Sequence, residues 1–159
     1  MISPEQRKVC VIGVGNEYRG DDAIGLLVIR KLMDKVMPST ALIEMDGEAA
    51  KLIDAMKGRS AAILVDAMQS GSKAGTVSRF DAGVRALPLS FFRCSTHVVG
   101  VSEAIELARA LDRLPQYVIV YGIEGRRFEL GSSLSPEVSG VVAETVERIY
   151  DEIQTLRRF

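Results

Sequence analysis

The stretch of sequence that decides the fold reads Val11-Ile-Gly-Val-Gly-Asn-Glu-Tyr-Arg-Gly-Asp-Asp-Ala-Ile-Gly25. It begins inside an uninterrupted apolar run, which is typical of a strand buried on both faces of a parallel sheet. Gly13 and Gly15 then allow the backbone to turn sharply. Beyond the turn, apolar residues recur at helical spacing, at Ile24, Leu27, Val28 and Leu32. The stretch therefore predicts a strand, a glycine turn and a helix, with Asp21 and Asp22 at or just before the helix N-terminus.

Three functions compete for this acidic pair. A dinucleotide fingerprint needs a third glycine at position 18, which is Tyr18, and the two carboxylates would repel a pyrophosphate at the helix N-terminus. A structural role is common, because an aspartate before a helix often caps the N–H groups of the first turn. Capping accounts for one aspartate better than for two. The third function is a metal or acid/base site, since open α/β sheets bind their ligands at the carboxyl ends of the strands.

Length and composition limit the classes of protein that fit. The 159 residues are 47% hydrophobic, which predicts a single domain, residues 1–159, with a core of its own. A formal net charge of −1 excludes the basic surface that nucleic acids or anionic membranes require. No apolar run reaches the roughly 18 residues of a membrane span, and the N-terminus lacks a signal-peptide pattern. Two cysteines suit a reducing compartment, so we expect a cytoplasmic protein.

Strand and helix patterns alternate along the chain. Apolar runs predict further strands over 41–45, 61–65 and 115–122, and the alternation over 76–80 predicts an antiparallel edge strand. The segment 126–130 is a candidate for one more short strand. Ser135 as N-cap and Pro136 at the first position predict one long final helix. The fold class is therefore α/β, a three-layer sandwich around a mainly parallel sheet of about five strands.

Acidic residues follow three of the predicted strands: Asp21 and Asp22, then Asp46, then Asp66. Right-handed crossovers make parallel strands point the same way, so these residues share one edge of the sheet. Like charges that are crowded together cost free energy unless a cation, a shared proton or hydrogen-bond donors compensate. The edge is therefore the candidate site.

His97 is the only histidine, and it follows Ser95 and Thr96 at the predicted start of the third helix. A lone histidine is commonly a surface or capping residue, but this position places it beside the carboxylate edge. Cys94 raises a Cys/His nucleophile pair, which lacks an orienting third group and an oxyanion hole.

The motifs together resemble the hydrogenase maturation endopeptidases, which trim the large subunit of nickel-iron hydrogenases. The resemblance runs almost end to end and rests on Gly13-Val-Gly-Asn16, Asp21-Asp-Ala-Ile-Gly25, Asp46-Gly47, Val65-Asp66-Ala67, Ser95-Thr-His97 with Gly100, and Gly122-Ile-Glu124 with Leu134-Ser135. It implies a phosphorylase/hydrolase-like α/β/α sandwich, with Asp22, Asp66 and His97 as metal ligands. Glu17 does not match a ligand position and is interpreted as loop. With Asp22 assigned to the metal, Asp21 is left as the predicted helix cap.

The resemblance also implies an activity. The enzyme recognises nickel already installed in the hydrogenase large-subunit precursor and hydrolyses one peptide bond to release a C-terminal extension. Asp22 and Asp66 would act in catalysis, and zinc or cadmium could replace nickel in a structure. Metal activation of water and a carboxylate general base both stay open. The rival functions are a non-catalytic assembly chaperone of the same precursor and a nucleotide-binding module.

Overall fold

The computed structural model describes residues 8–88, 91–92 and 100–159. The strands are β1 (Val9–Val14), β2 (Thr40–Met45), β3 (Ala61–Met68), β4 (Val77–Asp81) and β5 (Tyr117–Glu124). The helices are α1 (Ile24–Leu32), α2 (Ala49–Met56), α3 (Val101–Ala110), α4 (Pro136–Ser139) and α5 (Val142–Leu156), and a 3₁₀ turn, Gly20–Ala23, precedes α1.

The five strands form one β-sheet in the order β2-β1-β3-β5-β4, as in an α/β fold. All neighbouring pairs are parallel except β4 and β5, which are antiparallel. β1 and β3 are buried along their whole length, as their continuous apolar runs predict for strands covered on both faces. The fold class and the antiparallel edge strand predicted from the sequence are confirmed.

Helices cover both faces of the sheet and bury two apolar layers. On one face, α1, α4 and α5 pack on a layer that includes Val11, Ile29, Ile63, Ile119 and Ile149. On the other face, α2 and α3 pack on a layer that includes Ile12, Leu52, Leu64, Ile105 and Val120. Each helix that follows a parallel strand runs back from the carboxyl edge of the sheet, so the residues that begin it stay at that edge.

Two predicted elements are wrong. The final helix is divided into α4 and α5 at Gly140 and Val141, where the Val141 N–H donates to the carbonyl of Val138 in a tighter turn. Glycine is among the weakest helix formers, which favours a break there. The segment 126–130 forms no strand, because the N–H groups of Arg126 and Arg127 donate to the Asp21 side chain and not to a neighbouring strand.

The predicted start of the third helix, 95–97, lies outside the described residues. In the described part of the chain, α3 begins at Val101.

No helix in the described part of the chain is long and apolar enough to cross a bilayer.

Candidate active site

A close approach between α1 and the central strands positions the acidic pair. A Cβ on Gly25 would lie 2.5 Å from the carbonyl oxygen of Val14, so only glycine lets the first turn of α1 lie against β1. A Cβ on Gly13 would lie 2.5 Å from the Ile29 side chain. The 3₁₀ turn before α1 is therefore held directly over the ends of β1 and β3, and it carries Asp21 and Asp22.

The glycine turn closes around the Asp22 carboxylate. The backbone N–H of Asn16 donates to Oδ2 of Asp22 at 3.1 Å, and the N–H of Asp22 donates to the carbonyl of Arg19 at 3.1 Å. A Cβ on Gly15 would clash with the backbone carbonyl of Asp22. A dinucleotide-binding turn presents such N–H groups to phosphate, whereas this turn already holds an anion of its own. The geometry disfavours the nucleotide-binding alternative.

Asp66 lies within β3, two residues before its end, and is almost fully buried, with 8% exposure. Burial raises its pKa well above the ordinary value, and the nearby charge of Asp22 raises it further, whereas the Ala67 N–H opposes the shift. The pKa of Asp22 is also raised, mainly by burial, and the Asn16 N–H and Arg19 oppose that shift. The Asp22 side chain is therefore close enough to Asp66 for its charge to disfavour the ionised form of Asp66.

Backbone N–H groups compensate the two carboxylates only in part, since both pKa values remain raised. Within residues 8–88, 91–92 and 100–159, neither Asp22 nor Asp66 forms a salt bridge. A cation or a shared proton would relieve the pair. The same part of the chain contains no group of three or more His, Cys, Asp or Glu side chains that could hold a metal. The third predicted ligand, His97, lies outside the described residues, as does Cys94.

Asp21 has a different role from the predicted cap. Its side chain makes no capping bond to the 3₁₀ turn or to α1. It is fully buried and accepts the N–H groups of Arg126 at 2.7 Å, Arg127 at 2.9 Å and Ser135 at 2.7 Å, together with the Ser135 hydroxyl at 2.9 Å. The capping prediction is wrong because these long-range donors occupy the carboxylate. Asp21 joins the start of α1 to the loop after β5.

Glu124, the last residue of β5, is a second buried carboxylate with an internal set of donors. It accepts the N–H and hydroxyl of Ser70, at 2.9 and 2.7 Å, and the N–H of Gly71 at 3.1 Å. Sequence reasoning missed this role, although the acidic residue at the end of an apolar strand was its signal. Asp46 is exposed beside the edge strand β2, and within the described residues its side chain accepts the Glu48 N–H two residues on. Asp46 is thus a turn residue, and the convergence of four carboxylates predicted at this edge reduces to Asp21, Asp22 and Asp66.

Two other residues are removed from the candidate chemistry. Glu17 is exposed and pairs with Arg30 at 3.3 Å, which agrees with its interpretation as loop. Cys10 is buried in β1, and burial raises the pKa of its thiol to about 11, so it is a poor nucleophile. The candidate catalytic residues that remain at the described edge are therefore Asp22 and Asp66.

Comparison with known proteins assigns the class. A family model described as "HycI: Hydrogenase maturation protease" matches residues 26–152, most of the chain, including Asp66 and position 97. The match begins just after Asp22. The fold and this match define a peptidase. The chain belongs to the hydrogenase maturation protease family.

Solved structures share the fold. The hydrogenase maturating endopeptidase HybD from E. coli superposes with a TM-score of 0.76 at 20% identity, covering 93% of each chain. The [NiFe] hydrogenase maturation protease HycI from Thermococcus kodakarensis KOD1 gives 0.69 at 21% identity and 91% of each chain. HybD from Thermococcus kodakarensis gives 0.65 at 23% identity, over 92% of this chain and 98% of its own. No curated protein sequence matches the chain.

Proposed function

We propose that this protein is an endopeptidase that removes the C-terminal extension of a nickel-iron hydrogenase large-subunit precursor after nickel insertion. The observation that carries the proposal is the contrast among the buried carboxylates. Asp21 and Glu124 each accept several internal N–H and hydroxyl groups, whereas Asp22 accepts one backbone N–H within the described residues, and both Asp22 and Asp66 have raised pKa values. Carboxylates with strongly perturbed pKa values are concentrated at functional sites.

The donor set fits a borderline divalent cation. Two carboxylates and the imidazole of His97 suit nickel or zinc and leave coordination positions open for other ligands. A cation held between Asp22 and Asp66 would favour their charged forms and lower both pKa values. In this proposal the nickel belongs to the substrate, whose own cysteine thiolates hold it. Cysteines that are not paired in disulfides need a reducing compartment, so we place the reaction in the cytoplasm.

The same carboxylates supply the proton transfers of hydrolysis. An ionised carboxylate accepts a proton from the attacking water, and the resulting acid returns a proton to the amine nitrogen that leaves. While no cation is bound, burial and the charge of Asp22 raise the pKa of Asp66, so Asp66 is the member of the pair better able to hold a proton. Asp22 stays fixed throughout, because the Asn16 N–H and the turn 16–19 hold its side chain and backbone.

The mass of the large subunit tests this function. The nickel-loaded precursor is incubated with the wild-type protein and with an Asp66→Asn variant, which keeps the shape of the side chain and loses its charge. We expect the wild type to release a C-terminal peptide and the variant to leave the mass unchanged. A wild-type protein that binds the precursor without shortening it would instead be an assembly chaperone.

A further inference from the structure

Two large apolar side chains are exposed at the carboxyl edge of the sheet. Tyr18 is 66% exposed and Leu130 is 71% exposed. The other exposed large hydrophobic residues of the described chain lie toward the opposite, amino edge, where helices α1, α3 and α5 and strand β4 end: Met33, Met37, Val84, Leu107, Leu111 and Phe159. We call Tyr18 and Leu130 the rim patch.

Backbone hydrogen bonds tie the rim patch to the candidate catalytic turn. The N–H of Gly131, next to Leu130, donates to the carbonyl of Tyr18 at 2.7 Å, so the two segments lie side by side. A second bond, from the Gly20 N–H to the Ser132 carbonyl at 3.1 Å, joins the same two segments. The rim patch is thus built from two different loops held together.

Tyr18 itself belongs to the turn that closes on Asp22. The Tyr18 N–H donates to the Asn16 side chain at 2.9 Å, and the backbone of Asn16 donates to the Asp22 carboxylate at 3.1 Å. Tyr18 is therefore joined through Asn16 to the carboxylate at which a bound precursor would be cut. Large apolar side chains are unfavourable in water, and covering them with a partner is favourable.

We propose that the rim patch is the docking surface for the precursor polypeptide beside its cleavage site, and that it contacts an apolar segment of the large subunit. This inference rests on the proposed function. A protein partner fits better than a small molecule, because both side chains have more than half of their surface in solvent, whereas small molecules are bound in concave sites that bury most of their surface. Such an anchor contributes affinity for the substrate rather than proton transfer, and its loss acts on binding.

The experiment compares Tyr18→Ser and Leu130→Ser with Leu111→Ser. Leu111 is 50% exposed and follows α3 at the amino edge, so its substitution removes the same apolar group far from the site. For each protein, precursor cleavage is followed against substrate concentration, and precursor binding is measured separately by titration. Thermal melting checks that all the variants fold.

We expect each rim variant to raise KM about tenfold and weaken binding to the same extent, with kcat unchanged and Leu111→Ser like the wild type. Wild-type KM and binding in both rim variants would overturn the inference, and so would an equal effect of Leu111→Ser. A fall in kcat alone would overturn it too, because the residues would then act through Asp22. If the wild type binds the precursor without cutting it, the proposed catalysis is wrong. The binding titrations of the variants then still show whether the rim patch contacts the precursor. A wild type that neither binds nor cuts would overturn both.

Discussion

The Asp21 carboxylate accepts the backbone N–H of Ser135 at 2.7 Å, across 114 residues of chain. Ser135 is the N-cap of α4, and its hydroxyl accepts the Val138 N–H while donating to Asp21. One carboxylate therefore fixes the start of α1 against the start of α4. The neighbouring residue, Asp22, is held by a different set of contacts and is left with a raised pKa. The acidic pair therefore divides into Asp21, which has a structural role, and Asp22, to which we assign the chemistry of the proposed function.

Replacing Asp21 should reduce stability sharply. Asp21→Ala leaves three backbone N–H groups without their acceptor, and removing one partner from a buried charged network costs about 3 kcal/mol of unfolding free energy. Asp21→Asn should cost about 2 kcal/mol, since its amide NH₂ would face other donors. Chemical denaturation measures both. Asp46→Asn is the matched control and should lie within about 0.5 kcal/mol of the wild type. An Asp21→Asn protein as stable as the control would restore the capping role.

Asp22→Asn should have the opposite profile. The raised pKa means that the folded state disfavours the ionised side chain, so its neutral isostere should leave the melting temperature unchanged or higher. Precursor processing should fall by at least a hundredfold, because the amide can neither accept a proton nor bind a cation as a carboxylate does. Mass spectrometry of the precursor and thermal melting are measured on the same preparations. Normal processing by this variant would assign the chemistry elsewhere.

His97→Ala tests the predicted ligand that lies outside the described residues. We expect loss of processing with little change in melting temperature, since substitution of a polar side chain outside the core is usually within about 0.5 kcal/mol. His97→Gln serves as a second variant that retains a polar side chain of comparable length. Processing at the wild-type rate in both variants would remove His97 from the site.

Glu152 provides a pH-dependent contribution to stability. Its hydrogen bond from Arg79 at 2.7 Å is the main cause that lowers its pKa below the ordinary 4.5, and the Tyr121 hydroxyl adds to it. A lowered carboxyl pKa stabilises the fold above the unfolded-state value, and the contribution is lost as pH falls through the folded-state value. Because Arg79 is 39% exposed, solvent screening limits the effect to about 1 kcal/mol. Glu152→Gln should therefore be less stable than the wild type at pH 7, and the difference should shrink as the pH falls below the ordinary value of 4.5 and through the lowered folded-state pKa. A difference independent of pH would contradict this assignment.

Local patterns predicted the parts of the fold that depend on local physics. The apolar runs of β1, β3 and β5 indicated buried parallel strands because such strands are covered on both faces. The break at Gly140 was missed, since the Ser135-Pro136 start and the apolar spacing both continue through it. A single glycine is only a weak signal against a helix.

The candidate site was predictable in outline and not in its details. That Asp22 and Asp66 share an edge follows from the handedness of the crossovers. The role of Asp21 could not be predicted, because its donors are 105 to 114 residues away and become neighbours only in the folded chain. The role of Glu124 depends in the same way on Ser70, 54 residues earlier. Sequence order identifies which carboxylates meet, whereas the tertiary donors decide which of them stay available for chemistry.

The most direct measurement follows the mass of a precursor prepared with and without nickel. The enzyme is treated with a chelator and desalted, and release of the C-terminal peptide is followed over time for both precursors. In the proposed site, two carboxylates and one histidine would form an open set that needs further ligands from the substrate, and alignment of the peptide through a shared ion would be worth several kcal/mol of barrier. The account predicts efficient cleavage of the nickel-loaded precursor and none of the nickel-free one. Efficient cleavage of the nickel-free precursor by the metal-free enzyme would contradict it, and would indicate a carboxylate peptidase that uses Asp22 and Asp66 without any metal.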